Sequence, residues 1–330
     1  MLPTPDSFAA LPAPHDLGTR EFVWRFWLSS LTRVGWRKRI ARSVCPRITL
    51  QSPFALLSTD FAKLASSLGF QSLALEKLPF VFPQAATSGL LLQLLGNSNF
   101  PTSVRAARVK ALTITQLRPL DMRFRDQQEG AASPPPDITC VMVLTEKRFL
   151  EHEIEFTVQT DLFDDQGTLW QSVMWLAVPF APDTLLVPLS RSGFQISAAL
   201  EGQASAAPLT TSVSCSTRAL AEFADVALPA LGARTLDKTP VLWVLGQVAS
   251  ILQRQDRVPE LPLMCNCSFE DDAAAVPVGT SLAVETAVSA EEETVKIARF
   301  SVKSGQADVM HGLLRTVGWT FVTPEESGAQ

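Results

Sequence analysis

Three histidines (His15, His152 and His311), five cysteines and no tyrosine make up the chain's stock of near-neutral acids, bases and nucleophiles. Without tyrosine, no phenol can serve as acid or base. Cys45, Cys140, Cys215, Cys265 and Cys267 form no CxxC pair and no dense framework. An odd, scattered set of this kind reads as free thiols in a reducing compartment. Cys265 and Cys267 lie two apart, which in a strand places both on one face. So few histidines leave a zinc site hard to assemble, and no metal is expected. There is no GxGxxG after a strand, no P-loop, no GxSxG and no HExxH. The short acidic runs at Glu270-Asp271-Asp272 and Glu291-Glu292-Glu293 read as solvated turns.

One patch could hold phosphate. Residues 20–47, REFVWRFWLSSLTRVGWRKRIARSVCPR, contain eight Arg or Lys against one acid, Glu21, with Arg37, Lys38 and Arg39 in succession. Val23, Trp27, Leu31 and Val34 recur at helical spacing beside Trp24, Phe26 and Trp36. Three readings stand side by side. The segment is a helix docked on the domain behind it, a helix lying on an anionic membrane surface, or an organelle transit peptide. In the second, Arg37, Lys38 and Arg39 meet lipid headgroups. The charges interrupt any apolar h-region, so a secretory signal is not expected and the chain reads as intracellular, cytoplasmic or organellar. No uncharged apolar run approaches transmembrane length. A net charge of -5 excludes a chain-wide basic field and with it nucleic-acid binding.

The positioning elements come as a weak internal repeat in 330 residues, 46 % of them hydrophobic and 18 % charged. LPFVFPQAATSGLLLQLLGN (78–97) predicts an apolar helix over about 83–96, begun by Pro83 at a first-turn position. A strand follows through 107–117, then MRFRD, then strands over 138–150, 153–164 and 168–178. Asp164-Asp165-Gln166-Gly167 supplies a turn with glycine where φ is positive. PVLWVLGQVASILQR (240–254) predicts a second apolar helix, followed by strands through 263–269, 276–286, TVKIARFSVKSG and 311–322. Alternating, β-branched and aromatic runs indicate half-buried antiparallel strands. Gly89 to Pro119 and Gly246 to Pro277 span nearly equal distances. A helix with no polar face must be enclosed, so each half reads as a sheet wrapped around one helix. The expected division is an N-terminal basic extension over 1–57, a first repeat over 58–180, a Pro- and Ala-rich linker over 181–208, a second repeat over 209–324 and a tail over 325–330.

This pattern resembles the double hotdog fold, an α+β architecture, and within it the MaoC-like acyl dehydratases and enoyl-thioester hydratases. LPFVFPQAATSGLLLQLL is similar to the family's lead into its first central helix. FPTSVRAARVKALTITQLRPL is similar to the next strand and its "RPL" turn, and VPVGTSLAVE to the turn before the second long strand. The likeness spans roughly residues 60–322.

The resemblance implies an acyl-CoA or acyl-ACP thioester as ligand or substrate, with no further cofactor. It implies an acyl chain lying between the halves beside a central helix, where Leu91, Leu95, Trp243 and Val244 are the expected lining. It implies a monomeric pseudo-dimer or a homodimer. Active relatives carry an aromatic–Ala pair, then Gly-Asp, then His, as acid and base for reversible hydration of a 2-enoyl thioester. Here Phe223-Ala224 matches the pair, but Asp225 comes too early and no histidine follows before His311. Hydratase or dehydratase activity in fatty-acid metabolism and a catalytically silent acyl-binding or interaction scaffold therefore stand as alternatives. Acyl thioesterase is the third. Hotdog thioesterases use a carboxylate or amide at the central helix, a role for which Asp237 and Gln247, with Gln84, are the candidates.

Overall fold

The structure is a computed structural model that describes residues 45–317 except 55, 71–77, 98, 101–106, 121–137, 181–188, 195–207, 229–236, 271–275 and 293–294. The basic segment with Arg37, Lys38 and Arg39, the expected strand MRFRD and the tail lie outside the described residues.

The first half runs β1 (Ile48–Pro53), α1 (Ser58–Ser67), α2 (Phe82–Ala86), α3 (Ser88–Gly96), β2 (Arg108–Gln116), β3 (Thr139–Phe149), β4 (Glu153–Asp164) and β5 (Gly167–Pro179). The second runs β6 (Leu209–Ser214), α4 (Thr217–Ala227), α5 (Val241–Arg254), β7 (Leu263–Phe269), β8 (Ser281–Glu292), β9 (Val295–Ser304) and β10 (Ala307–Thr316). Among the described residues the strands form one ten-stranded sheet in the order β1-β3-β4-β5-β2-β7-β10-β9-β8-β6. All its pairs are antiparallel. Read from either edge, this order gives the same succession: first, third, fourth, fifth and second strand of a repeat. The repeats meet at β2 and β7, where Ala111 faces Ser268 and Gln116 faces Leu263.

Finer details repeat as well. The β4–β5 register skips Leu169 between Phe163–Thr168 and Leu162–Trp170. The β9–β10 register skips Val309 between Lys303–Asp308 and Val302–Met310. Two hairpins with a bulge at the same distance from their turns point to one ancestral plan. Gly167 in the first turn has φ of 112°, as the turn sequence requires.

The expected helix over 83–96 divides at Thr87. The Thr87 hydroxyl donates back to the Pro83 carbonyl at 2.8 Å, and the Ser88 hydroxyl donates to that of Gln84 at 3.0 Å. Such back-bonding competes with the helical ladder and bends it. Residues 78–92 are buried without interruption, so the greasiness of the segment reports enclosure. Each fully buried Leu contributes about 1.5–3 kcal/mol relative to exposure. The strand expected over 276–286 begins only at Ser281, because Val276 and Val278 pair instead with the lead into α5. There the Thr239 N–H donates to the Val276 carbonyl, and the Val278 N–H to that of Asp237.

On the sheet's other face a stretch of the inter-repeat connection is clasped by a fully buried carboxylate. Glu155 Oε1 accepts from the Gly193 N–H at 2.7 Å, and its Oε2 accepts from the Ser192 hydroxyl at 2.5 Å. Phe194 packs on Trp175 with ring centroids 5.1 Å apart.

Candidate functional site

A cleft of about 410 Å³ opens at one end of the β2–β7 seam, where the two repeats meet. Its first wall is Leu78-Pro79-Phe80, the lead into α2. Its second is Ala249 and Gln253 on α5, then Val258–Leu261 beyond that helix. Gln116 and Leu263, cross-strand partners, complete it with Pro119. The first wall is held from below. Trp170, fully buried on β5, donates its indole N–H to the Phe80 carbonyl at 2.8 Å, and the Phe82 N–H donates to the Pro79 carbonyl at 2.9 Å. A concave, mainly apolar cleft of this size with a few polar groups is what a small ligand requires. Gln116 is buried at the inner end, while Gln253 and Glu260 stand exposed at the rim.

A second hollow of about 720 Å³ lies between α1, β6 and α5. Ser66, Thr211, Ser212 and Arg254 alternate there with Phe61 and Phe70, and it is broadly open to solvent. It offers no enclosed apolar surface for a hydrocarbon chain.

The residues singled out from sequence are placed as follows. Leu91, Leu95, Trp243 and Val244 are all buried in the core, and none of them lines the cleft. Asp237 is exposed in the lead into α5. Gln247 is buried and borders the second hollow; its amide Nε2 donates to the Ser67 carbonyl at 3.0 Å. The Trp243 indole N–H donates to that same oxygen at 2.7 Å, and the Ser250 hydroxyl donates to the Gly69 carbonyl at 2.7 Å. Residues 243, 247 and 250 lie along one face of α5. They satisfy carbonyls that the end of α1 leaves without helical partners. Gly69 itself takes φ of +81°, and a Cβ there would meet the Gln247 amide oxygen at 2.9 Å. Gln84 is buried on α2. Phe223 and Ala224 are buried within α4.

Neither described histidine reaches the cleft. The His152 side chain is 86 % exposed in the β3–β4 turn. His311 stands on β10 opposite Ser268, on the sheet face away from Cys265 and Cys267. The Ser268 hydroxyl lies 2.7 Å from His311 Nε2 and 3.3 Å from Nδ1, with Glu270 at 3.4 Å from Nδ1. An oxygen that close to both ring nitrogens lies off the in-plane lone pair of either. The trio therefore lacks the alignment of a nucleophile–base relay. Burial pushes the thiols of Cys140 and Cys215 up to about 12 and about 11, and it raises that of Cys267 well above its ordinary value, with Cys265 adding to the effect. Thiols held protonated are poor nucleophiles. Among the described residues, no three His, Cys, Asp or Glu side chains gather as metal ligands. No described helix is long and apolar enough to cross a membrane.

The residue signal that sequence reasoning missed is the wall itself. Leu78-Pro79-Phe80 was legible as a helix lead, but its carbonyl partner on β5 is 90 residues away.

Solved structures share this architecture. HtdX of Mycobacterium tuberculosis aligns over 81 % of this chain and 99 % of its own, at 13 % identity and a TM-score of 0.53. A MaoC-like dehydratase aligns over 84 % of this chain and 98 % of its own, at 10 % identity and 0.54. A MaoC-like dehydratase from Phytophthora capsici aligns over 82 % and 95 %, at 13 % identity and 0.52. No family model matches the chain, and no curated protein matches it in sequence. The chain has the double hotdog fold of the MaoC-like proteins. Identities this low speak to fold alone.

Proposed function

We propose that the protein binds the acyl group of a thioester in the cleft at the β2–β7 seam and does not hydrate it. Two of its structural neighbours are by name dehydratases, which supports a ligand of the acyl-thioester class for this fold. One observation carries the non-catalytic reading: among the described residues, Glu260 is the only titratable group lining the cleft. Adding water across a 2-enoyl thioester needs an acid and a base converging on adjacent carbons. One rim carboxylate, with no histidine or second acid beside it among the described residues, cannot fill both roles. Of the remaining polar groups, the Gln253 amide can donate a hydrogen bond to a thioester carbonyl without titrating, while Gln116 Nε2 donates to the Arg118 carbonyl at 3.3 Å.

The test is a pair of assays on the purified protein. Mixed with crotonyl-CoA and with longer 2-enoyl-CoAs, it leaves the enoyl absorbance unchanged and releases no free thiol. Calorimetric titration with a saturated long-chain acyl-CoA gives saturable binding, weakened when Leu263→Trp fills the cleft. Loss of enoyl absorbance at an enzymatic rate would overturn the non-catalytic reading. Binding untouched by Leu263→Trp would overturn the location.

A further inference from the structure

The charge of the cleft says more about its ligand than its shape does. Twelve described residues line it, and Glu260 is the one charged side chain among them; there is no Lys, Arg or His. The arginines nearest in sequence are turned to other partners. Arg257 donates to the Thr286 carbonyl at 2.8 Å and to its hydroxyl at 3.0 Å. Arg118 donates to Asp164 at 2.6 Å and to the Gly167 carbonyl at 2.8 Å. Arg254 Nε turns back to the Ser250 carbonyl at 3.4 Å.

The cleft also has a direction. Its inner end is buried and mainly apolar at Leu78, Phe80, Ala249 and Leu263, where the buried Gln116 amide donates to the Arg118 carbonyl at 3.3 Å, while Gln253 and Glu260 are exposed at the rim. A hydrocarbon chain entering it leaves its polar head beside those two side chains. A thioester head is neutral there, and the Gln253 amide can donate to its carbonyl oxygen. The head of a free fatty acid is a carboxylate, which would stand beside the Glu260 carboxylate with no cation among the described lining residues to offset it. Like-charge juxtaposition is a standard means of rejecting a wrong ligand of the right shape.

We propose that Glu260 is a specificity-determining residue that disfavours free fatty acids, so that the cleft prefers acyl chains whose head group is uncharged. This rests on the acyl-binding reading above and adds to it the chemical form of the acyl group.

The test compares two probes of equal chain length by calorimetry on the full chain: dodecanoate, and the neutral thioester S-dodecanoyl-N-acetylcysteamine. Wild-type protein binds the thioester more tightly than dodecanoate. Because Glu260 is exposed, its charge is worth about two- to fivefold in the ratio, and added salt narrows the gap. Glu260→Gln raises the ratio of dodecanoate affinity to thioester affinity by that factor, and Glu260→Lys raises the ratio further. Equal binding of both probes, with a ratio that neither variant moves, would overturn the role of Glu260 while leaving the acyl-binding cleft intact. Absence of binding by either probe would overturn the cleft itself, and this inference with it.

Discussion

At the scale of single residues, burial decides which groups are chemically available. Cys140 sits on the core face of β3, and its thiol is held up at about 12 against an ordinary value near 9. The unfolded chain releases that proton first. Above pH 9 the native state therefore binds more protons than the unfolded state, and stability falls as pH rises toward about 12. The slope is about 1.4 kcal/mol per pH unit for one such thiol. Urea denaturation at about pH 8 and about pH 10.5 should show this loss, and Cys140→Ala should make the two curves converge relative to wild type. An equal pH dependence in the variant would mean that the thiol is not held protonated in the native state. From sequence, the cysteines read as free, and each described one is free. That Cys265 and Cys267 share a face was legible from their spacing; that the face is the closed core was not.

At the scale of elements, α5 shows how a polar residue on an apolar helix can serve a neighbouring element. Gln247 lies within a run of ten consecutive buried residues, 243 to 252, and from sequence it is a candidate for a thioesterase-like role. Its amide instead caps the end of α1, together with Trp243 and Ser250. The spacing of the three along α5 is written in the sequence. The carbonyls they serve lie 176 to 181 positions away and are not. Gln247→Leu should lower unfolding stability by about 0.5–1.5 kcal/mol, because it removes one hydrogen bond while the Ser67 carbonyl keeps the Trp243 donor. Acyl-CoA affinity should stay unchanged, since Gln247 does not line the cleft. A loss of affinity with stability preserved would return Gln247 to the site. The break at Thr87 teaches the same lesson: hydroxyls within LPFVFPQAATSGLLLQLLGN were visible, but their bonds to Pro83 and Gln84 depend on the enclosure that removes water as a competitor.

At the scale of the molecule, the sheet runs unbroken through β2 and β7, and buried residues of both repeats belong to one hydrophobic cluster. α1 packs on α4 across the repeats, where Lys63 pairs with Asp225 at 3.4 Å. The repeats share their core, so heating should give a single calorimetric transition with calorimetric and van't Hoff enthalpies in agreement. Two resolved transitions would show that each repeat folds alone. The sequence by itself indicated most of the strand runs, the two enclosed helical segments and the repeat that makes this a double hotdog, because periodicity and burial are local consequences of side-chain type; it did not show β1, β6, α1 or α4, and the strand expected over 311–322 is β10 at Ala307–Thr316. Set against the family it resembles, it also shows no histidine between Phe223-Ala224 and His311. Only the tertiary structure decided where a ligand could go. The cleft joins a helix lead, a helix end and a strand seam that are far apart in the chain, and Trp170 on another strand donates to the carbonyl of its Phe80 wall. Concavity is a property of how elements meet, and no single segment carries it.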